Sequence, residues 1–198
     1  ASMRRREVYA TSGPRIAVRT YGGLNLPATV LEVPGFPDSI QREAVPMGGE
    51  IMGAGADDRF SMAIEAQADP KSGYLDRIQV VKGWIDVTGE AQERVYDAAW
   101  SGDDRLLSDG SLAAVGSSVD LKTGLTANSI GSPRLTVVWQ DPEFDPAQSA
   151  FYYVRVLQIP TARHSLLDKL ALGDEDIDTR RPDTIQERAY TSPIWYRP

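Results

Sequence analysis

The chain has 198 residues, 28 acidic and 21 basic, and its formal net charge of -7 disfavours polyanions, so nucleic acid is not an expected partner. Hydrophobic residues at 41% suffice for the core of one compact domain, and the lack of cysteine removes disulfides, thiolate metal sites and cysteine nucleophiles together. One histidine, His164, cannot build a two- or three-histidine metal centre and leaves any catalytic triad a single base.

No window approaches the roughly 18 apolar residues of a membrane span, and the opening ASMRRREVYATSGPR has no apolar stretch of signal-peptide length. Ala1 to Met3 read as a cloning remnant, and the run Arg4, Arg5 and Arg6 as the start of a piece taken from a longer protein. Gly22 to Gly55 is dense in glycine and proline and is expected to be a long surface loop, of the kind that carries a function or meets a partner. In Arg59 to Gln67, Phe60, Met62 and Ile64 alternate with Ser61, Ala63 and Glu65, the period of a strand with one buried face. Leu75 to Ile85 follows a turn and precedes Thr88-Gly89, which predicts a hairpin with Glu90 to Trp100.

Arg134 to Gln140 and Ala150 to Ile159 are the most β-prone segments, and the turn-rich stretch from Asp141 to Pro146 between them predicts an antiparallel pair. Ser165 to Leu172 places Leu166, Leu167, Leu170 and Ala171 at helical spacing, with Gly173 as the stop. The acidic run Asp174 to Asp178, before Arg180 and Arg181, reads as a solvated loop. A last strand is expected over Ile185 to Tyr196, with Pro193 marking an edge or a break. Six to eight short strands with such punctuation predict a mainly β protein, an immunoglobulin-like or related antiparallel β-sandwich with long loops and one short helix.

Candidate chemistry is sparse. Asp141, Glu143 and Asp145 have the alternation of a hard-cation site, yet two prolines, no glycine at the sixth position and no distal bidentate glutamate favour a structural turn. Arg163, His164 and Ser165 stand where a helix should begin and could hold an anion there; the plainer reading makes Ser165 or Thr161 a cap and His164 a surface residue. No G-x-S-x-G elbow occurs, and Gly48-Gly49 and Gly53-x-Gly55 fit no phosphate loop. Trp84, Trp100, Trp139 and Trp195 would suit a sugar-stacking platform, although tryptophans in strands are more often core.

Several stretches taken together, RREVYATSGPRIAVRTYGG, PMGGE, LDRIQVVKGWID, RVYDAAW, DPEFDPAQSAFYYVRVLQIPTARHS and QERAYTSPIWY, resemble the C-terminal part of the bacterial family filed as "domain of unknown function 3604". The similarity runs from Arg4 to about Tyr196. It implies a parent protein related to the polymerase and histidinol phosphatase superfamily, whose N-terminal barrel holds a metal-dependent hydrolase site. On this mapping residues 4–14 are the tail of the barrel and 15–198 an appended β-sandwich. Tyr9, Thr11, Ser12 and Arg15 would then lie where the two meet. Ala162 and His164 replace a proline and a tryptophan of the family pattern, whereas Arg163 and Ser165 match it, so no catalytic histidine is implied there.

The first expectation is therefore a noncatalytic accessory domain that packs on the barrel and shapes its active-site rim, through the Gly22 to Gly55 loop or the Arg163 loop. Its partner is the barrel, its divalent metal belongs to the barrel, and self-association of the isolated piece is unsurprising. The alternative is a carbohydrate or cell-surface binding module resting on the tryptophans. A third, an independent enzyme built on His164, asks one base to do everything. Compartment stays open between periplasm and cytoplasm.

Overall fold

Alternation of buried and outward side chains organises the chain into two facing sheets. A computed structural model describes residues 1–32, 36–40, 43–173 and 180–198. In chain order the elements are α1 (Ser2–Arg5), β1 (Tyr9–Thr11), β2 (Ala17–Leu24), β3 (Ala44–Pro46), β4 (Glu50–Met52), β5 (Phe60–Gln67), β6 (Leu75–Ile85), β7 (Ala91–Trp100) and β8 (Arg134–Gln140). They continue with β9 (Ala150–Gln158), β10 (Thr161–Ala162), α2 (His164–Leu172), β11 (Thr184–Ile185), β12 (Arg188–Thr191) and β13 (Ile194–Arg197). The β-sandwich expected from the sequence is the architecture found. The acidic run Asp174 to Asp178 lies outside the described residues.

The larger sheet is built around β9. One of its edges pairs with β6, which pairs in turn with β7. The other edge is shared, with β12 along Arg155–Leu157 and β13 along Ala150–Tyr152. β1 extends the sheet beyond β12, and β4 runs parallel to β13. The expected single strand from Ile185 to Tyr196 is thus broken at Ser192-Pro193, where proline has no N-H for a ladder, and both halves return to one edge. The smaller sheet has the order β3-β2-β5-β8, and β10 and β11 form a separate two-stranded ribbon.

Between the sheets lies an apolar core. Phe60, Met62 and Ile64 of β5 and Val18 of β2 meet Ile78 and Val80 of β6, Tyr152, Val154 and Val156 of β9, and Ile194 and Tyr196 of β13. Phe60 stacks on Tyr152 with ring centroids 3.8 Å apart. The β6–β7 hairpin forms as predicted, and Asp86 holds its turn by accepting from the Thr88 hydroxyl and from the Thr88 and Glu90 N-H groups. These bonds, that from the Thr88 side chain foremost, bring the Asp86 carboxyl down to about 2.

Two expectations are corrected. β8 and β9 do not pair with each other: β8 lies against β5 in the small sheet and β9 against β6 in the large one, so residues 141–149 cross between layers. Nor is Gly22 to Gly55 one surface loop. It contains the end of β2, β3 and β4, and two short 3-10 turns at Val30–Glu32 and Asp38–Ile40. Leu26, Val30, Ile40 and Ala44 fold back on Ala63 of β5 and form a second small core on the outer face of the small sheet. Ala63 is outward in the β5 alternation yet fully buried, which an alternating pattern cannot foretell.

Candidate functional site

The residues singled out from the sequence fall into three places. Tyr9 and Thr11 are in β1, at the edge of the large sheet, paired with Thr191 and Ala189. Ser12 follows it, donating from its hydroxyl to the Glu187 carboxylate and accepting from the Arg188 N-H at 2.9 Å. The Arg15 N-H donates to Asp69 at 2.8 Å and, with the Lys71 N-H, holds that carboxyl below its usual range. Their functional partners in the chain are thus turn and edge contacts.

Arg163 is the residue before α2. Its backbone N-H donates to the Asp183 carbonyl at 2.7 Å and its Nε to the Pro182 carbonyl at 2.8 Å, which ties the helix start to the β10–β11 ribbon. His164 is 88% exposed and faces Asp168 one turn on, with 3.6 Å between Nε2 and the carboxylate. The Ser165 hydroxyl is buried without a described partner. No side-chain cap closes this helix start, so neither Ser165 nor Thr161 acts as the cap. Among the described residues no hydrogen bond or ion pair joins the Arg163 group to the Ser12 group.

Asp141, Glu143 and Asp145 do not converge. Asp141 is fully buried, accepts from Lys82 Nζ at 2.6 Å and from the Tyr152 hydroxyl at 2.7 Å, and takes the Glu143 N-H at 2.9 Å. Glu143 pairs with Arg94 and accepts from the Tyr96 hydroxyl at 3.0 Å, while Asp145 accepts from the Ala147 N-H at 2.9 Å. The cation beside Asp141 is the Lys82 ammonium, 3% exposed, which also donates to the Glu143 carbonyl at 2.8 Å and lies 5.3 Å from the Trp84 ring centroid. Burial, then the Asp141 charge, pushes the Tyr152 phenol well above its ordinary value. Among the described residues no group of three or more His, Asp or Glu is placed to hold a metal ion.

A second buried carboxylate acts likewise. Asp76 of β6 meets Arg77 at 3.1 Å, Arg105 at 2.8 Å and the Gln186 amide at 2.9 Å, fastening the segment after β7 and the approach to β12 onto the sheet. Both carboxylates are thus engaged in holding loops.

What remains is the outer face of the large sheet. In β9 the side chains of Tyr152, Val154 and Val156 point into the core, so Phe151, Tyr153, Arg155 and Leu157 point away from it. Register brings Trp195 of β13 opposite Phe151, and Gly83, Val81 and Gln79 of β6 opposite Phe151, Tyr153 and Arg155. Rings run along this face: Trp195 to Phe151 at 5.4 Å, Phe151 to Tyr153 at 6.5 Å and Tyr153 to Tyr190 of β12 at 6.3 Å. Gly83 is required under the row, because a Cβ there would lie 2.2 Å from the Phe151 ring. At the Trp195 end an open groove of about 670 Å³ is lined by Gly83, Trp84, Ile85, Ala91, Phe151 and Trp195.

At the other end the face turns polar. Arg77 pairs with Asp97 at 3.3 Å, Gln79 donates to Asp97 at 2.8 Å, and Arg155 Nε donates to Gln79 at 2.7 Å. The Arg188 guanidinium, and with it that of Arg155, draws the Tyr190 phenol below its ordinary value. Sequence reading placed Phe151 and Tyr153 within a β-prone segment and gave them no role. The overlooked signal is that β9 is apolar on both faces at its start, Phe151 and Tyr153 alternating with Ala150 and Tyr152, as in a strand with a covering layer on each side. All four tryptophans are half-buried; Trp195 stands beside Phe151 in the groove, whereas Trp84 packs against the core beside Lys82.

No described helix is long and apolar enough to cross a membrane. No curated protein and no solved structure matches the chain. The model of one family matches it over residues 1–198, and that family's description is "Protein of unknown function (DUF3604)".

Proposed function

The chain belongs to the DUF3604 family, and from that premise we propose that it is a noncatalytic β-sandwich that packs on the metal-dependent hydrolase barrel of a longer parent protein. The observation that carries this reading is the asymmetry of the two outer faces. Among the described residues, Leu26, Val30, Ile40 and Ala44 cover the small sheet, whereas the aromatic row and groove of the large sheet are left uncovered. An apolar face of this kind on a soluble domain marks an interaction site. The buried charges supply no competing chemistry, since Lys82, Asp141 and Asp76 are engaged in fastening loops. The terminal strand β1 and the β12 and β13 edge would lie towards the barrel, with Tyr9, Thr11, Ser12 and Arg15 at the junction.

The test compares this chain with the full-length parent. Hydrolysis of ester and phosphoester substrates should require the parent and a divalent metal. Hydroxyl-radical labelling of Tyr153, Tyr190 and Trp195 should be strong in the isolated chain and suppressed in the parent. Equal labelling in both, or turnover by the isolated chain, refutes the reading. The second reading, a carbohydrate or cell-surface binding module, draws on Trp195 beside Phe151 in the groove. It predicts saturable binding on a glycan panel with quenching of tryptophan emission.

A further inference from the structure

We infer that the outer face of the large sheet is a two-point docking surface for a protein partner that brings an apolar side chain to the Ile85–Phe151–Trp195 groove and a carboxylate to Arg155 and Arg188. The inference rests on the reading that this face is covered in the parent protein, and it specifies the chemistry of the covering surface.

The groove fixes the first point. Its lining is Gly83, Ile85 and Ala91 with the rings of Phe151 and Trp195, and Ile85 is 57% exposed. Phe151 and Trp195 are inclined to each other by 51°, so they form the walls of a cleft and no flat platform for a sugar ring. Polar residues, Gln92, Glu93, Ser149 and Arg197 among them, complete the surround. An aliphatic or aromatic side chain fits such a cleft as an anchor.

The second point follows from charge. Arg77 on the same face is neutralised by Asp97 and Asp76. Arg155 and Arg188 have no carboxylate partner among the described residues; Arg155 spends its Nε on the neutral Gln79 amide and Arg188 donates to the Gln186 carbonyl at 3.3 Å. Covering an apolar face that includes two such guanidinium groups strips their water, and an uncompensated buried charge is strongly unfavourable. The covering surface must therefore supply the anion, for which the guanidinium fork and a carboxylate are geometrically matched. Phe151 and Arg155 are four residues apart in β9, so at ~3.4 Å per residue the partner's anchor and its carboxylate are spaced about 14 Å apart. A partner surface with Asp or Glu at that distance from an exposed Leu, Met or Phe satisfies both.

The experiment uses full-length parent protein, labelled with hydroxyl radicals and read at Tyr190 and Trp195 by mass spectrometry. Wild-type parent should be protected about tenfold or more relative to the isolated chain. R155Q/R188Q should restore labelling to within about twofold of the isolated chain, and added salt should weaken the wild-type protection. I85E, at an exposed position that folding does not need, should restore it too. R134Q, on the small sheet, should change nothing. Protection that survives R155Q/R188Q and salt overturns the two-point surface while leaving the docking reading intact. Wild-type parent labelled like the isolated chain overturns both. A glycan that protects the isolated chain, or concentration-dependent dimers of it abolished by I85E with no protection in the parent, assigns the face to another occupant and overturns the inference.

Discussion

Replacing Lys82 by methionine tests whether the buried cluster under β9 is organised as described. Lys82 Nζ makes two short polar contacts, to Asp141 at 2.6 Å and to the Glu143 carbonyl at 2.8 Å, and its side chain is 3% exposed. Methionine fills nearly the same volume but leaves the Asp141 carboxylate buried with the Tyr152 hydroxyl and the Glu143 N-H as its remaining partners. Breaking a buried pair from one side costs about 3–5 kcal/mol. For a domain of this size each kcal/mol lowers Tm by about 2–4 °C, so K82M should melt roughly 6–20 °C below wild type. Removing the whole cluster should be milder. In K82M/D141L/Y152F no charge and no hydroxyl is stranded, and only the Glu143 N-H and carbonyl lose their partners, so this variant should lie nearer to wild type than K82M. Urea unfolding followed by circular dichroism, with the m-value checked for constancy, measures both variants. The reasoning is refuted if K82M costs under about 1 kcal/mol, or if the triple variant is as unstable as the single one.

Two further predictions concern the outer face. G83A should destabilise the fold by about 1–3 kcal/mol, because the new Cβ meets the Phe151 ring at 2.2 Å, and the added substitution F151A should recover part of that loss in the same urea titration. A neutral G83A would mean that the ring does not lie on β6. Tyr190, its phenol pKa lowered by Arg188 and Arg155, should be the first of the eight tyrosines to ionise as phenolate absorbance is followed upward in pH. Because the folded-state value lies below the unfolded one, the associated stability is absent at neutral pH. It grows as pH rises through the folded value towards the ordinary tyrosine value. R188Q should return this titration to the ordinary range, and an unchanged curve would remove Arg188 from the account.

Strand existence was legible in this sequence where one face is core and the other is not. Phe60, Met62 and Ile64 announced β5, and the punctuation Asp86 to Gly89 announced the β6–β7 hairpin. Pairing was less legible. A nine-residue stretch rich in turn residues between two β-prone segments suggests a hairpin, yet Asp141 at its start is drawn inside by Lys82, 59 positions earlier, and the chain changes sheet. Nothing local encodes that partner. Strands β1, β3 and β4 are three residues long and too short to show a period. The outer face stayed hidden for a different reason. Periodicity separates two faces of a strand only when they differ in polarity, and Phe151 and Tyr153 are as apolar as the Tyr152 and Val154 between them. The tie of Arg163 to the β10–β11 ribbon was equally hidden, since the carbonyls of Pro182 and Asp183 that engage it are about twenty positions away.

The sharing of one β9 edge by β12 and β13 has a consequence for biosynthesis. β1 waits for Thr191, and the N-terminal half of β9 waits for Ile194 to Tyr196, so the ladder is completed only by residues about 40 positions downstream of β9's start and about 180 downstream of β1. While the ribosome still holds that segment in its exit tunnel, β9 presents an unpaired edge to neighbouring nascent chains. Folding of this domain should therefore reach its final step only after Ile194 to Tyr196 have left the tunnel. Polypeptides halted before Ile194 should be the ones that engage chaperones or aggregate.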